Sequence, residues 1–139
     1  MEFPAPDAWL AHRVSYGETD AMGVLYYAEY IHIFERARGE FGHVCGCSYK
    51  EIEERGILLP VREVQCRYRS PARYDDLIQV HVAISEWGKA SVRFVYALYD
   101  ETRHKLLAEG MTQHALVNRE GKPVAVPDWL RRAFSAPLD

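Results

Sequence analysis

The sequence predicts an α+β fold in which one long helix packs against an antiparallel sheet of about five strands. From Tyr27 to about Phe41, apolar residues recur at helical spacing along one wide face. After residue 60, apolar and polar residues alternate along four successive segments, and their short connections favour antiparallel neighbours. Because no other sizeable apolar surface is available to cover the helix, we expect the curved sheet to wrap around it.

The remaining elements follow from local signals along the chain. The stretch "AWLAHRVSY" predicts a short strand that ends at Tyr16, and residues 1–7 are expected to be frayed. Ser48 begins a capping-box pattern and Gly56 provides a stop signal, so a short second helix is predicted between them. "PDWLRRAF" predicts a final helical turn that begins at Pro127.

The four strand segments after residue 60 show two kinds of pattern. Segments 78–84 and 92–98 alternate on either side of "EWGKA", which predicts a hairpin, and a further strand is expected within 105–117. In the first segment, alternation with polar residues predicts a buried face. The residues expected on that face are Val64, Cys66 and Tyr68.

The strand "SVRFVYALYD" is apolar on its second face as well, through Val95, Ala97 and Tyr99. Large apolar patches are rarely left in water, and the single long helix can cover only one side of the sheet. A second copy of the sheet is the simplest cover for the other side. The sequence therefore predicts a homo-oligomer, either a dimer or a tetramer.

Composition restricts the class of protein. A chain of 139 residues with 48% hydrophobic and 27% charged residues is typical of one globular domain spanning 1–139. The net charge of −3 and scattered basic residues predict no nucleic-acid partner. No apolar window is long enough for a membrane span, and "MEFPAPDAWL" does not resemble a secretory leader, so a cytoplasmic location is expected. The odd number of cysteines favours reduced thiols.

Several common catalytic motifs are missing from the sequence. It contains no G-x-S-x-G elbow, no H-E-x-x-H or C-x-x-C spacing, and no glycine-rich phosphate loop. The histidines are dispersed, and only His43 lies beside cysteines, Cys45 and Cys47. The sequence therefore predicts neither a metal site nor a cofactor.

One acidic residue, Asp20, lies in the glycine-bearing loop "YGETDAMGVLYYAEY" just before the long helix. Free amides and the helix dipole near Tyr27 would keep a carboxylate ionised and could also bind a developing oxyanion. This arrangement suits a thioester, because a thiol with a pKa of about 8.5 leaves as thiolate without a general acid. An ordinary turn residue remains the alternative interpretation of Asp20 at this point.

The segment "YGETDAMGVLYYAEYIHIFERAR" resembles the signature of the hotdog-fold acyl-CoA thioesterases, in the branch of 4-hydroxybenzoyl-CoA thioesterase and the Tol-Pal-associated thioesterases. The likeness extends through "YRSPARYDDLIQV" to "GKPVAVPDWL". It implies a long central helix wrapped by a curved antiparallel sheet, and dimers or tetramers. It also implies that the protein hydrolyses an acyl-CoA substrate to a free acid and CoA.

The resemblance also implies roles for particular residues. The catalytic carboxylate of the family corresponds to Asp20, as nucleophile or general base, and the amide that polarises the thioester carbonyl corresponds to Tyr27. A related branch places a glutamate inside the helix, but Glu35 is more simply explained as a partner of nearby arginines. The predicted substrate-binding residues are Tyr16, Gly23, Tyr30 and Arg73.

Two other functions stay open from the sequence. The same fold can carry a hydratase or dehydratase that acts on enoyl or hydroxyacyl thioesters and pairs a histidine with an acidic residue. It can also carry a non-catalytic acyl-CoA-binding protein. No such pairing of a histidine with an acidic residue accompanies Asp20, which favours hydrolysis over the hydratase alternative.

Overall fold

The computed structural model describes residues 3–135, which form one five-stranded antiparallel sheet and three α-helices. The sheet has the order β1-β3-β4-β5-β2. This architecture confirms the predicted α+β class. In chain order the elements are β1 (Asp7–Arg13), α1 (Glu29–Val44), α2 (Tyr49–Glu54), β2 (Val61–Tyr68), β3 (Leu77–Trp87), β4 (Ser91–Tyr99), β5 (Leu106–Ala115) and α3 (Asp128–Ala133).

The long helix α1 buries the face that its apolar spacing predicts. It packs against β1 and β3, and its central ring, Phe34, stacks on Tyr96 of β4 with 4.3 Å between centroids. The helix begins at Glu29 and continues to Val44, so it lies two to three residues further along the chain than the predicted span. The residues buried on it are Tyr30, Ile33, Phe34, Ala37, Arg38, Phe41 and Gly42.

A glycine in β5 allows the helix to lie close to the sheet. A Cβ atom at Gly110 would lie 2.6 Å from Cε2 of Phe34 and 2.5 Å from the carbonyl oxygen of Gln65. Both separations are far shorter than a van der Waals contact, so any side chain at this position would push α1 outward. Gly110 therefore sets the distance between the helix and the sheet.

The N-terminal prediction needs two corrections. β1 ends at Arg13, and Tyr16 lies in a 3₁₀ turn, Tyr16–Glu18, instead of a strand. The expectation that residues 1–7 are frayed is wrong where it can be compared, because Asp7 already pairs with β3 and the Phe3 ring stacks on His81 at 3.8 Å. Residues 1–2 lie outside the described part of the chain.

Other local signals are confirmed. The Ser48 hydroxyl accepts a hydrogen bond from the Glu51 amide at 3.2 Å and caps α2, and Gly56 follows with a φ of +90°. β3 and β4 pair as the predicted antiparallel hairpin. Pro127 stands immediately before α3, as its rigid backbone favours.

The strand β2 does not have the buried face that its alternation predicts. Val64 and Tyr68 are 39% and 46% exposed, and Cys66 is only half-buried. The reason is position: β2 lies at one edge of the sheet and pairs only with β5, whereas α1 packs mainly on β1 and β3, towards the other edge. Alternation predicted which side chains share a face but not whether anything covers it.

The outer face of the sheet carries a broad groove of about 1020 Å³, lined in part by Val95, Ala97 and Tyr99. These are the residues whose apolar character predicted a second covering layer. Among the helices of residues 3–135, none combines the length and apolarity that crossing a bilayer requires.

Candidate active site

A cavity of about 290 Å³ opens beside the start of α1. It brings together three residues of the predicted site: Asp20, Tyr27 and Tyr30. The loop before α1 supplies one wall, and the end of β2 with the turn after it supplies the other. The lining residues are Asp20, Val24, Leu25, Tyr27, Tyr30, Tyr68, Arg69, Ser70 and Pro71.

The loop around Asp20 is fixed by its own hydrogen bonds. The Asp20 amide donates to the Val24 carbonyl at 3.0 Å, and the Gly23 amide donates back to the Asp20 carbonyl at 2.9 Å. Gly23 has a φ of +78°, a conformation that side chains disfavour, so glycine suits this tight turn. The Met22 amide donates to Oδ1 of Asp20 at 2.8 Å. The half-buried carboxylate is thus oriented by backbone alone.

Asp20 has no cationic partner: within residues 3–135, no salt bridge reaches its carboxylate. A carboxylate that served only structure would gain most from such a partner or from capping a helix. Its position in the lining of a cavity leaves it accessible to a ligand. The Asp20 carboxylate is therefore available to interact with a substrate.

A relay of three hydrogen-bonded side chains, Arg36, His12 and Glu18, holds the Asp20 loop in place. The Glu18 carboxylate accepts hydrogen bonds from the Ser15 amide at 2.7 Å and from Nε2 of His12 at 2.9 Å, while Nη1 of Arg36 contacts Nδ1 of His12 at 2.6 Å. Burial favours a raised pKa for Glu18, but hydrogen bonds from Ser15 and His12 outweigh it, so its pKa lies below the ordinary value. The loop is therefore tied to both β1 and α1.

The start of α1 retains unused donors. Its N-cap residue is Ala28, which has no side chain that could accept a hydrogen bond from the first turn. The Glu29 amide donates to the Tyr26 carbonyl at 2.9 Å, whereas the amides of Tyr27 and Ala28 donate to no backbone carbonyl within the described residues. Tyr27 itself lines the cavity. The residue that carries this free backbone donor thus lines the same cavity as Asp20.

Sequence patterning missed Tyr68 as a site residue. Its hydroxyl donates to the Tyr27 carbonyl at 2.8 Å, and its ring lies edge-on to Tyr30 with 4.8 Å between centroids. Burial raises the pKa of both Tyr30 and Tyr68, so both phenols are neutral at pH 7. The alternation with Val64 and Cys66 placed Tyr68 on the correct face, but no local signal named its partner.

Comparison with protein families assigns residues 14–134 to the family described as the thioesterase-like superfamily. That match covers most of the chain. The protein belongs to the thioesterase-like superfamily.

Individual relatives agree with this membership. The acyl-CoA thioesterase YbgC of Haemophilus influenzae is 35% identical over 124 residues, which cover 88% of this chain and 90% of that protein. The crystal structure of the DHNA-CoA thioesterase from Staphylococcus aureus has a TM-score of 0.84 at 27% identity and covers 93% of this chain and 89% of its own.

A more distant structure shows the common fold. It is a mutant of 4-hydroxybenzoyl-CoA thioesterase complexed with 4-hydroxybenzoyl-CoA, with a TM-score of 0.84 at 19% identity, and it covers 94% of this chain and 100% of that one. Together with the strand order, these matches confirm the hotdog fold that the motif resemblance implied.

Three residues of the predicted site lie outside the cavity of this thioesterase-like protein. Tyr16 is 79% exposed and its ring lies edge-on to Tyr74. Gly23 shapes the Asp20 loop without lining the cavity. Arg73 is exposed, with its amide donating to Oδ2 of Asp76 at 2.8 Å, and the cationic lining residue is Arg69 instead.

Metal-ligating residues do not converge in the described part of the chain. Among residues 3–135, no group of three or more histidine, cysteine or acidic side chains is placed to hold a metal ion. His43 is exposed while Cys45 and Cys47 are buried, so the sequence neighbours do not form one accessible site. Glu35 is also exposed and lies outside the lining of the cavity.

Proposed function

We propose that this protein is an acyl-CoA thioesterase that hydrolyses its substrate to a free acid and CoA. The observation that carries the proposal is that Asp20 and Tyr27 line one and the same cavity, and that the Tyr27 amide has no backbone acceptor. Membership of the thioesterase-like superfamily and the acyl-CoA thioesterases among its relatives support the same reaction class.

In the proposed reaction, the thioester carbonyl oxygen accepts a hydrogen bond from the Tyr27 amide, which stabilises negative charge as it develops. Asp20 then acts in one of two ways. As a nucleophile, its carboxylate attacks the carbonyl carbon, the C–S bond breaks with its electron pair on sulfur, and water hydrolyses the resulting anhydride. As a general base, it accepts a proton from a water molecule whose oxygen attacks the carbon directly.

Either route needs little additional machinery. The CoA thiolate is a stable leaving group near neutral pH, because its pKa is only about 8.5. Mass spectrometry separates the two routes: turnover in ¹⁸O-labelled water places label in the Asp20 carboxylate when water attacks the aspartyl carbon of an anhydride.

The proposed substrate-binding residues occupy two zones. Tyr30 lines the cavity beside the reacting group, and its ring provides an apolar contact for the acyl chain. Gly23 sets the shape of the loop. Tyr16 and Arg73 lie outside the cavity and are exposed, where they suit the CoA portion, and a guanidinium matches a phosphate group.

The principal test is Asp20→Asn, which preserves the shape of the side chain and removes its charge. We expect kcat for thiol release to fall at least about 10³-fold with thermal stability unchanged. The assay uses acetyl-, hexanoyl-, palmitoyl- and 4-hydroxybenzoyl-CoA, so it also reports acyl preference.

The matched control is Asp75→Asn. Asp75 is an exposed loop carboxylate with a φ of +72°, which asparagine tolerates well, and it should retain full activity. Asp20→Asn with turnover near that of the control would place the chemistry on another residue.

Two alternatives give different results in the same experiments. A hydratase or dehydratase would change the absorbance of crotonyl-CoA without releasing thiol, but the cavity lining within residues 3–135 contains no histidine to serve it. A non-catalytic acyl-CoA-binding protein would bind the substrate and release no thiol at all.

We also propose that the protein is a homo-oligomer, a dimer or a tetramer, located in the cytoplasm. Support comes from exposed Val61 and Val64 on the edge strand β2 and from the groove on the outer face of the sheet. The three free cysteines, Cys45, Cys47 and Cys66, suit a reducing compartment. Light scattering on the purified protein measures the oligomeric state.

A further inference from the structure

Two consecutive peptide groups carry the unused amides at the start of α1, and each is held at its carbonyl end. The group that contains the Tyr27 amide is held through the Tyr26 carbonyl, which accepts from Glu29 at 2.9 Å. The group that contains the Ala28 amide is held through the Tyr27 carbonyl, which accepts from the Tyr68 hydroxyl at 2.8 Å. The first support is local, whereas the second comes from the sheet.

We propose that Tyr68 is a positioning residue for thioester hydrolysis. Its hydroxyl fixes the carbonyl of Tyr27, and so restrains the backbone of the residue whose amide is the proposed donor to the substrate carbonyl. This inference rests on the function proposed above, and it adds a residue that the sequence pattern did not assign to the site.

Peptide planarity extends the effect of the hydroxyl to the Ala28 amide, the second unused donor at the start of α1. Because the six peptide atoms lie in a plane, fixing the carbonyl oxygen of Tyr27 also fixes the direction of the Ala28 N–H. The same hydrogen bond polarises the group, which makes that N–H a stronger donor. No capping side chain performs this task, because the N-cap residue is alanine.

Tyr68 is itself well supported for this role. It is the last residue of β2, paired with Ala108 of β5, and its ring lies edge-on to Tyr30 of α1. Burial, together with the neighbouring Cys66 and tyrosines, raises the pKa of its phenol, so the hydroxyl remains a donor throughout the range in which enzymes are assayed. The contact joins residues 41 positions apart in the chain.

The test is Tyr68→Phe, which keeps the ring against Tyr30 and removes only the hydroxyl. We expect kcat to fall about tenfold, less than the roughly 10²–10³-fold typical of losing a direct oxyanion donor, with KM unchanged within about twofold. The pH profile should keep its shape, because the phenol does not titrate in the assay range. The matched control is Tyr99→Phe, since Tyr99 is half-buried on the outer face of the sheet, and it should match the wild type.

The alternative role for Tyr68 is direct contact with the substrate, since it also lines the cavity. In that case Tyr68→Phe would raise KM, with kcat following less strongly. A raised KM with unchanged kcat, or kinetics equal to those of Tyr99→Phe, would overturn the positioning role.

A second measurement does not depend on activity. In ¹⁵N-resolved spectra, Tyr68→Phe should shift the Ala28 amide signal and speed its hydrogen exchange, while Tyr99→Phe leaves both unchanged. An unchanged Ala28 signal would overturn the proposal whatever the kinetics show. Absence of thiol release by the wild type, with the Ala28 response present, would instead overturn the proposed thioesterase function and leave the peptide contact established.

Discussion

The start and the middle of α1 both carry polar groups, but they use them in opposite ways. At the start, the Asp20 carboxylate has no cationic partner among the described residues and the Tyr27 amide has no backbone acceptor. In the middle, Arg38 is only 8% exposed and donates to the hydroxyls of Tyr49 and Tyr96, both at 3.1 Å. The polar groups at the start of α1 remain available to a ligand, whereas those in the middle are hydrogen-bonded within the protein.

The polar groups in the middle of α1 belong to a continuous chain of hydrogen bonds across the core. Tyr96 and Thr112 hydroxyls lie 2.7 Å apart, the Thr112 hydroxyl lies 2.8 Å from Nε2 of His114, and Nδ1 of His114 lies 2.9 Å from the Leu59 carbonyl. Nδ1 must carry the proton because a carbonyl can only accept, so Nε2 of the neutral ring accepts from Thr112. Buried polar groups that satisfy one another stabilise a fold, whereas chemistry needs groups left for the substrate.

The largest effect expected to test this contrast is a loss of folding stability at acidic pH that is due to His114. Burial lowers its pKa from 6.5 to about 4, with the nearby Arg38 charge acting in the same direction. Between these values the unfolded chain binds a proton that the folded chain does not. The stability that the neutral ring provides is therefore present above pH 6.5 and is lost as the pH falls towards 4, by up to about 3 kcal/mol.

Urea unfolding of the wild type and of His114→Gln across pH 4 to 7 measures that loss. The variant should lack the part of the pH dependence due to His114, whatever its stability at pH 7. His32→Gln, at an exposed histidine of α1, is the control and should retain the wild-type slope. Equal slopes in all three proteins would show that the chain from Arg38 does not hold His114 neutral.

A smaller loss of stability is expected for Tyr96→Phe. The variant keeps the ring stacked on Phe34 but leaves Arg38 without one acceptor and Thr112 without one partner. We expect the free energy of unfolding to fall by about 2 kcal/mol, with kcat changed less than about twofold. Urea unfolding and thiol release measure the two quantities. A large loss of kcat in folded protein would mean that the middle of α1 also serves the reaction.

The smallest effect is expected for Glu18→Gln, in the relay behind the Asp20 loop. Glutamine retains an acceptor for the Ser15 amide but loses the charge that faces His12. Because the folded pKa of Glu18 is lowered, its contribution is present above about pH 4.5 and is lost as the pH falls below that value. We expect a loss below about 1 kcal/mol at pH 7 that becomes smaller as the pH falls below about 4.5, measured by urea unfolding. A loss that stays the same as the pH is lowered would assign the effect to packing instead.

Periodicity predicted the helix and the hairpin because both depend on short-range spacing. It also placed Asp20 before α1, where the cavity opens. It could not predict that β2 is only partly covered, since strand order depends on pairings between distant segments. The burial of Arg38 escaped it for the same reason, because the hydroxyl acceptors come from α2 and β4.

The motif resemblance named more of the site than spacing did. Of the residues that it named, Asp20, Tyr27 and Tyr30 line one cavity in the structure, whereas Tyr16 and Arg73 lie outside that cavity. Tyr68 lies 41 residues from the carbonyl that it contacts, and no local pattern encodes such a pairing. Physical reasoning from one sequence therefore predicts helices and strands better than it predicts the contacts between them.

The edge position of β2 should make catalytic activity more sensitive to heating than the fold as a whole. Within one protomer, an edge strand with a neighbour on one side opens at lower cost than the strands inside the sheet, and Tyr68 is the last residue of that strand. Local fraying there would release the Tyr27 carbonyl while the core remained folded. Activity should then decline on warming several degrees before the cooperative melting transition, and a ligand that clamps the edge should close that gap.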